Sequence, residues 1–215
     1  MSEKHPDSHF GFAATGSVTE ETVEINREFL RLLTHPCVRG SRQLLGLQGG
    51  VLAALAQLDQ RELQQVASVP LLLAEFQPFP GFGEVRDTPV SRPCDPELGE
   101  EWLLELNDFA NRLLTCIWQT SRRDPMLTSL LMGVSRTSVQ QLAEFGFSSI
   151  SRCALQASGS LQVRLNRHPR FWSDLVGLVR TGNDCQQMAS RLSLIQLSVK
   201  DACVSVPQDP SRVYS

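Results

Sequence analysis

The sequence predicts a mainly α-helical protein made of two similar multi-helix units in tandem, with at most short extended segments. Three observations lead to this prediction. Leu, Ala, Gln and Arg, which favour helices, are common, whereas Tyr occurs once. Apolar residues recur at helical spacing along much of the chain. The same order of apolar positions occurs twice within the 215 residues, which predicts an internal repeat.

The first helix follows a polar stretch, residues 1–19, which is predicted to be a disordered tail. Thr19 offers an N-cap hydroxyl, and the acids after it favour the first turn of a helix. The helix is predicted to end at about Leu33, because His35-Pro36 disfavours helical backbone. Further helices are predicted over 41–47, 51–58 and 60–67, the last capped by Asp59, followed by an extended segment over 71–79.

A proline- and glycine-rich stretch separates the two units. Residues 80–99 are predicted to be a linker between a first unit, residues 20–79, and a second unit, residues 100–200. The second unit is predicted to open with an amphipathic helix from Glu100 to Trp118. Residues 201–215 are predicted to be a flexible tail.

The second unit repeats the apolar pattern of the first. Ile25-Asn26 recurs 81 residues later as Leu106-Asn107, and Leu45-Gly46-Leu47 recurs 87 residues later as Met132-Gly133-Val134. The difference between the two spacings is predicted to lie in a loop at 116–125, where insertions cost little. Two copies in one chain are expected to mimic a homodimer. They predict an intramolecular pseudo-dimer in which each copy covers the other's apolar face.

The repeated unit resembles the FlhD family of flagellar transcriptional activators. The resemblance rests on the Leu-Gly-Ile-like triplet and on the apolar positions and alanine after it. The second unit has Leu142, Phe145, Ile150, Cys153 and Ala154 there, and the first unit has Leu55, Leu58, Leu63, Val66 and Ala67. Val163-x-Leu165 and Asp184-x-Gln186-Gln187-Met188 match the family's extended segment and last helix, here running to about Val199. The second unit therefore resembles a complete FlhD, whereas the first lacks the last helix.

The resemblance implies a helical, dimeric regulator that acts with an FlhC-like subunit on promoter DNA and recruits RNA polymerase. Its target genes would be flagellar genes or, as for related FlhD-like regulators, transfer genes of mobile elements. FlhC-like subunits carry a four-cysteine zinc site, whereas the six cysteines here are scattered without a C-x-x-C pair. No metal or other cofactor is therefore expected, and a higher oligomer is compatible with the resemblance.

Positive charge is concentrated in the second half of the chain. Residues 1–110 hold 8 Lys and Arg against 17 Asp and Glu, whereas residues 111–215 hold 12 against 6. A basic half within an acidic protein has two explanations, a polyanionic partner or pairing of the two halves with each other.

The segment Thr137–Ala154 resembles a helix-turn-helix, with helices over 139–145 and 148–155. In such a motif the second helix enters the major groove, and nearby arginines hold phosphates. In helix-turn-helix motifs the alanine and the turn glycine are four residues apart, whereas Ala143 and Gly146 are three apart and the second helix is short. The alternative to DNA binding by this segment is therefore a packed helical hairpin used for assembly. The candidate DNA-binding residues are Arg122, Arg123, Arg136, Ser148 as a helix N-cap, Arg152, Arg164 and Arg167.

No catalytic constellation is expected, and the chain is predicted not to be an enzyme. A Cys–His pair can form a nucleophile, but Pro36 separates His35 from Cys37 and no third member is evident. The polar N-terminus and the lack of a long apolar run predict a cytoplasmic protein without a membrane segment. The alternative function is a protein–protein adaptor that uses the same helical fold without touching DNA.

Overall fold

The computed structural model describes residues 12–77, 99–168 and 170–181, together with positions 193 and 196. This part of the chain is mainly helical, as predicted. The predicted linker, apart from Gly99, lies outside the described residues. So do the predicted last helix, apart from positions 193 and 196, and the tail over 201–215.

The described residues contain eight α-helices and four short strands. The helices are α1 (Phe12–Leu33), α2 (Gly49–Leu55), α3 (Gln60–Ala67), α4 (Glu100–Arg123), α5 (Pro125–Met132), α6 (Arg136–Ala143), α7 (Phe147–Ser160) and α8 (Phe171–Thr181). The strands are β1 (Gln43–Leu44), β2 (Leu47–Gln48), β3 (Ala74–Phe76) and β4 (Leu161–Val163). A single 3-10 turn, Pro36–Val38, follows α1.

The first helix begins earlier than the sequence predicted. It starts at Phe12, inside the predicted disordered tail, so that Thr19 lies within the helix and does not cap it. Two alanines after Phe12 favour helix, and a single glycine such as Gly16 costs only about 1 kcal/mol relative to alanine. The end of α1 at Leu33 agrees with the prediction.

The predicted helix over 41–47 is wrong, because β1 and β2 form an antiparallel hairpin there. Leu44 pairs with Leu47 across a two-residue turn. The turn residues Leu45 and Gly46 have φ of 49° and 87°, as tight hairpin turns require and a right-handed helix does not allow. The glycine of the triplet therefore acts as a turn residue in the first unit.

Two predicted helices of the first unit are present. α3 has the predicted bounds, and Asp59 caps it by accepting a hydrogen bond from the Glu62 N–H at 2.7 Å. The Glu62 carboxylate accepts from the Asp59 N–H in return, at 2.8 Å, which completes a capping box. α2 begins and ends slightly before the predicted span of 51–58.

The loop predicted at 116–125 is also wrong, because α4 continues to Arg123. Asp124 alone separates α4 from α5, and its carboxylate accepts from the Leu127 N–H at 2.9 Å. Pro125 occupies the first turn of α5, where its missing N–H is not needed. The additional residues of the second unit therefore lengthen its helices.

Strands β3 and β4 join the two predicted units in one antiparallel pair. Its three residue pairs are centred on Glu75 and Gln162. The Val163 N–H also donates to the Leu45 carbonyl, and the Leu72 N–H donates to the Leu131 carbonyl. Each unit thus donates a backbone hydrogen bond to the other, next to the other unit's glycine. The acceptor Leu45 precedes Gly46, and the acceptor Leu131 lies two residues before Gly133.

Helices α1 and α4 pack against each other in the middle of the core. The rings of Phe29 and Phe109 stack with centroids 5.3 Å apart, and the Trp102 indole N–H donates to the Leu32 carbonyl. At the surface of this contact, Arg112 and Glu28 form an ion pair of 2.7 Å. The buried apolar residues of both units belong to one continuous core.

Asn26 fixes α1 to the segment after α3. This side chain has no exposed surface, and its amide group donates to the carbonyls of Ala67 and Leu71 at 3.1 and 2.9 Å. Its Oδ1 accepts from the Leu73 N–H at 2.9 Å. Asn107, which the repeat aligns with Asn26, is exposed on α4.

Several elements of the two units begin at one constant spacing. α2, α3 and β3 begin at residues 49, 60 and 74, and α6, α7 and β4 begin 87 residues later, at 136, 147 and 161. Gly46 and Gly133 have the same spacing, and both have positive φ. Their left-handed backbone favours glycine, and a Cβ would also meet the Asn166 side chain at Gly46 and the Arg164 side chain at Gly133.

Candidate nucleic-acid interface

The α6–α7 motif consists of two helices and a short turn, as the sequence predicted. The Ser135 hydroxyl caps α6 by accepting from the Ser138 N–H at 3.1 Å. The prediction that Ser148 caps the second helix is wrong, because Gly146 holds the N-cap position and Ser148 lies inside α7. α7 has 14 residues and continues beyond the predicted end at residue 155, since no strong helix breaker follows Ala154.

One apolar face and a hydrogen bond to the turn hold the motif to the protein core. Val139 and Leu142 of α6 and Ile150 of α7 are buried. The indole N–H of Trp118, near the end of α4, donates to the Phe145 carbonyl at 3.0 Å. Because Phe145 lies in the turn, this bond fixes the N-terminus of α7 beside the C-terminal end of α4.

Three of the predicted DNA-binding residues lie on the exposed side of the α6–α7 motif. Arg136 is the first residue of α6, and Ser148 and Arg152 lie in the first half of α7. All three side chains are exposed. They offer two cations and a hydroxyl, which are the groups that contact phosphates and base edges in DNA complexes.

Arg122 extends this surface through an aromatic contact that the sequence did not reveal. Its guanidinium lies over the Trp118 ring, 5.3 Å from the centroid, at a distance typical of a cation–π interaction. The Phe147 ring lies 6.3 Å from Trp118 and is 71% exposed. Arg122 therefore lies near the N-terminus of α7. Phe147 lies between the two predicted helices, and no spacing rule marks an exposed aromatic residue in a turn.

Arg123 is exposed but points to another side of α4. Its charge acts on Cys116, whose pKa is raised mainly by burial and further by Glu21, and is lowered by Thr120 and Arg123. Arg122 and Arg123 are thus neighbours in sequence that face different surroundings. The structure brings only Arg122 to the turn of the α6–α7 motif.

Arg164 is not available for DNA, so its prediction as a DNA-binding residue is wrong. Its side chain is 1% exposed, and its guanidinium donates to the Leu131 carbonyl and packs on Gly133. Its own carbonyl accepts from the Trp172 indole N–H at 2.9 Å. The sequence around Arg164 does not distinguish a solvated guanidinium from one that donates to a backbone carbonyl within the fold.

Arg167 is exposed, but it lies away from the residues that carry the α6–α7 motif. Its guanidinium donates to the Gln77 side-chain carbonyl at 3.3 Å, beside the end of the β3–β4 pair. Phe171 and Trp172, the aromatic residues after it, are buried in the core. No described contact joins Arg167 to the exposed arginines of α6 and α7.

The His35–Cys37 pair is close in space. The His35 Nδ1 lies 2.9 Å from the Cys37 Sγ. Burial raises the pKa of the Cys37 thiol, and Glu105 and Glu101 add to this, although hydrogen bonds from the Gly99 and Cys37 backbone lower it. A raised pKa favours the thiol over the nucleophilic thiolate.

Comparisons with protein-family models, with curated proteins and with solved structures find no match to this chain. Among the residues that the structure describes, no cluster of His, Cys, Asp or Glu is suited to hold a metal ion. In the same residues, no helix has the length and apolar character needed to cross a membrane.

Proposed function

We propose that this chain is an FlhD-like transcriptional regulator that acts with an FlhC-like partner on promoter DNA and helps to recruit RNA polymerase. Its targets are flagellar genes or transfer genes of a mobile element. The observation that carries the proposal is the exposed face of the α6–α7 motif. Arg136, Ser148 and Arg152 lie there, on two helices that a short turn joins. In this role the chain has no catalytic activity of its own and works in the cytoplasm.

The contact with DNA is assigned to the second unit. The exposed side of α7 carries Ser148, Ser151 and Arg152 without an acidic residue, and Arg122 lies beside its first turn. The guanidinium groups would hold backbone phosphates, and the serine hydroxyls are suited to a phosphate or a base edge. Phe147 is placed to pack against a deoxyribose or against the partner protein.

A pseudo-dimeric arrangement of the two units supports the same proposal. In a twofold-symmetric interface, equivalent residues meet at the axis. The central pair of β3 and β4, Glu75 and Gln162, has the 87-residue spacing of the repeat. Phe29 and Phe109, which stack where α1 crosses α4, are within one residue of its 81-residue spacing. One chain would therefore replace an FlhD dimer, with unequal halves.

An adaptor without DNA contact is the second candidate function. It is favoured by large apolar side chains on the surface: Leu104 and Met126 are 66% and 64% exposed, in addition to Phe147. Exposed apolar side chains of this kind are suited to contacts with a partner protein. A partner protein that binds through these residues, with no retention of DNA, would favour the adaptor.

An electrophoretic shift assay tests the regulator proposal. The chain and an FlhC-like partner are mixed with a promoter fragment at moderate salt, with the double variant Arg136→Glu and Arg152→Glu beside the wild type. The matched control is Arg39→Glu and Arg42→Glu, two exposed arginines outside the α6–α7 motif that change the net charge equally. Each lost phosphate contact becomes a repulsion, so we expect affinity to fall by roughly a hundredfold in the first variant only.

Two results would count against the proposal in different ways. Equal affinity of both double variants and the wild type would remove the α6–α7 motif as the DNA contact. A stable complex of the chain with its partner that shifts no promoter fragment, even at low salt, would replace the regulator by the adaptor.

A further inference from the structure

A groove between α1 and α3 carries three arginines, on the unit to which no DNA contact is assigned. Its volume is about 530 Å³, within the range of pockets for small ligands. Arg27, Arg31 and Arg61 line it together with Gln60 and Gln64. We call it the arginine groove.

The packing of α1 on α3 explains why these side chains converge. The two helices run antiparallel, because later residues of α1 contact earlier residues of α3. Asn26 donates to the Ala67 carbonyl at the end of α3, and Arg27 donates to the Gln64 side-chain carbonyl, at 2.8 Å, about one turn earlier in α3. Arg27 and Arg31 are four residues apart and so lie on the same face of α1. The floor of the groove is apolar, since Leu30 is 1% exposed and Leu63 is partly buried beside it.

No acidic side chain lines the arginine groove, although the first half of the chain is acidic in total. The carboxylates of Asp59 and Glu62 are engaged in the capping box of α3. The Glu28 carboxylate is paired with Arg112 on α4. Like charges four residues apart on a helix repel each other, and an anion bound between them relieves that repulsion.

The residue types in the arginine groove fit one class of ligand. Guanidinium groups bind phosphate through two parallel hydrogen bonds, and glutamine amides can both donate to and accept from a base or a sugar. The apolar floor suits a planar ring. We propose that the groove binds a free phosphate-bearing ligand of nucleotide size, with its phosphates on Arg27, Arg31 and Arg61. A DNA backbone offers the same phosphate chemistry but no separate group to fill a concave, apolar-floored site.

Calorimetric titration of the full chain tests this proposal. The probes are inorganic pyrophosphate, ATP and GTP, at low salt, because phosphate contacts weaken as salt increases. The test variant is Arg31→Gln with Arg61→Gln, and the control is Arg39→Gln with Arg42→Gln, an equal loss of charge at exposed sites outside the groove. We expect affinity to fall by about tenfold or more in the test variant and by less than about twofold in the control.

A second pair of substitutions separates charge from geometry. Arg31→Lys with Arg61→Lys keeps the charge but loses the planar fork, so its affinity should lie between those of the wild type and the glutamine variant. Because Arg31 and Arg61 are exposed, these variants are expected to fold, and thermal unfolding followed by circular dichroism checks this. Absence of binding by the wild type, or unchanged affinity in the glutamine variant, overturns the proposal.

A parallel titration with duplex DNA distinguishes the source of the phosphates. None of the groove arginines belongs to the candidate DNA-binding residues, so the two proposals stand or fail separately. Unchanged DNA affinity in the Arg31→Gln and Arg61→Gln variant, with loss of ATP and pyrophosphate binding, supports a free ligand. The free-ligand assignment is overturned if the wild type binds neither ATP nor pyrophosphate and the variant loses DNA affinity. The groove would then be a second DNA contact.

Discussion

The two units place similar helices at equivalent positions but use their polar residues differently. Asn26 of the first unit is buried and binds three backbone groups, whereas Asn107 at the equivalent position is exposed. α3 has 8 residues, whereas α7 begins at the equivalent position and has 14. Positions related by the 81- and 87-residue spacings therefore share apolar residues of the core but differ in their polar residues.

The exposed faces of α3 and α7 differ in the same way. Arg61 lies beside two further arginines and forms a concave groove with them. Ser148, its equivalent 87 residues later, lies on an exposed helix with Arg152. The arginine groove suits the small ligand that we propose for the first unit, and the exposed face of α7 suits the DNA contact that we propose for the second. Substitutions at equivalent positions can test this difference.

The largest expected effect is at the asparagine pair. Asn26→Ala removes three hydrogen bonds and leaves buried backbone groups of Ala67, Leu71 and Leu73 without that partner. Its free energy of unfolding should fall by about 3 kcal/mol, against less than about 0.5 kcal/mol for Asn107→Ala. Urea denaturation measures both. Equal losses in the two variants would contradict the different roles assigned to the two asparagines.

The glycine pair should show a similar loss in both units. Gly46→Ala and Gly133→Ala force a side chain into left-handed backbone and against Asn166 and Arg164, respectively. Each substitution should lower the free energy of unfolding by about 2 kcal/mol. The control is Gly50→Ala in α2, where a Cβ has free space, and it should leave stability equal or higher. A neutral Gly133→Ala variant would show that the two turns are not equivalent.

A third comparison concerns two arginines of the same loop. Arg164→Met removes a charged donor to the Leu131 carbonyl and leaves that carbonyl with the Leu72 N–H, so the free energy of unfolding should fall by about 1.5 kcal/mol. Arg167→Met should change it by less than about 0.5 kcal/mol, because Arg167 is exposed. Thermal unfolding of both variants provides the measurement. A larger loss of stability in Arg167→Met than in Arg164→Met would indicate that Arg164 lies on the surface.

The smallest effect is a dependence on alkaline pH. Burial, and then Glu21, raise the pKa of the Cys116 thiol, so the folded chain holds this proton more tightly than the unfolded chain. The resulting stability is complete below the pKa of an unfolded thiol, about 8.5, and is lost as pH rises through the folded pKa. Between pH 8 and 10, Cys116→Ala should therefore lose less stability than the wild type. A steeper loss in the variant would contradict the sign of this shift.

The sequence predicted the helices whose ends are marked by local chemistry. Asp59 and the periodic apolar residues after it were sufficient for α3, because a cap and a core face are encoded within a few residues. The hairpin at 43–48 was not predicted, because its left-handed turn is stabilised by packing of Gly46 on Asn166, which lies far away in the chain.

The candidate interface was predicted in part, for a related reason. Arg136 and Arg152 are exposed as expected, since helical periodicity places them opposite the apolar face. Arg164 follows β4 and turns into the core, and its burial depends on the Leu131 carbonyl 33 residues before it. The contact of Arg122 with Trp118 near Phe147 depends on how α4 packs on the turn, which a pattern within one helix does not contain.

Site-specific crosslinking tests the unequal use of the two units most directly. A photoreactive phenylalanine analogue is placed at position 148 in α7 or at the equivalent position 61 in α3, and each chain is irradiated with its partner on promoter DNA. We expect a DNA adduct from position 148 and none from position 61. An adduct from position 61 alone, or equal adducts from both positions, would contradict this expectation.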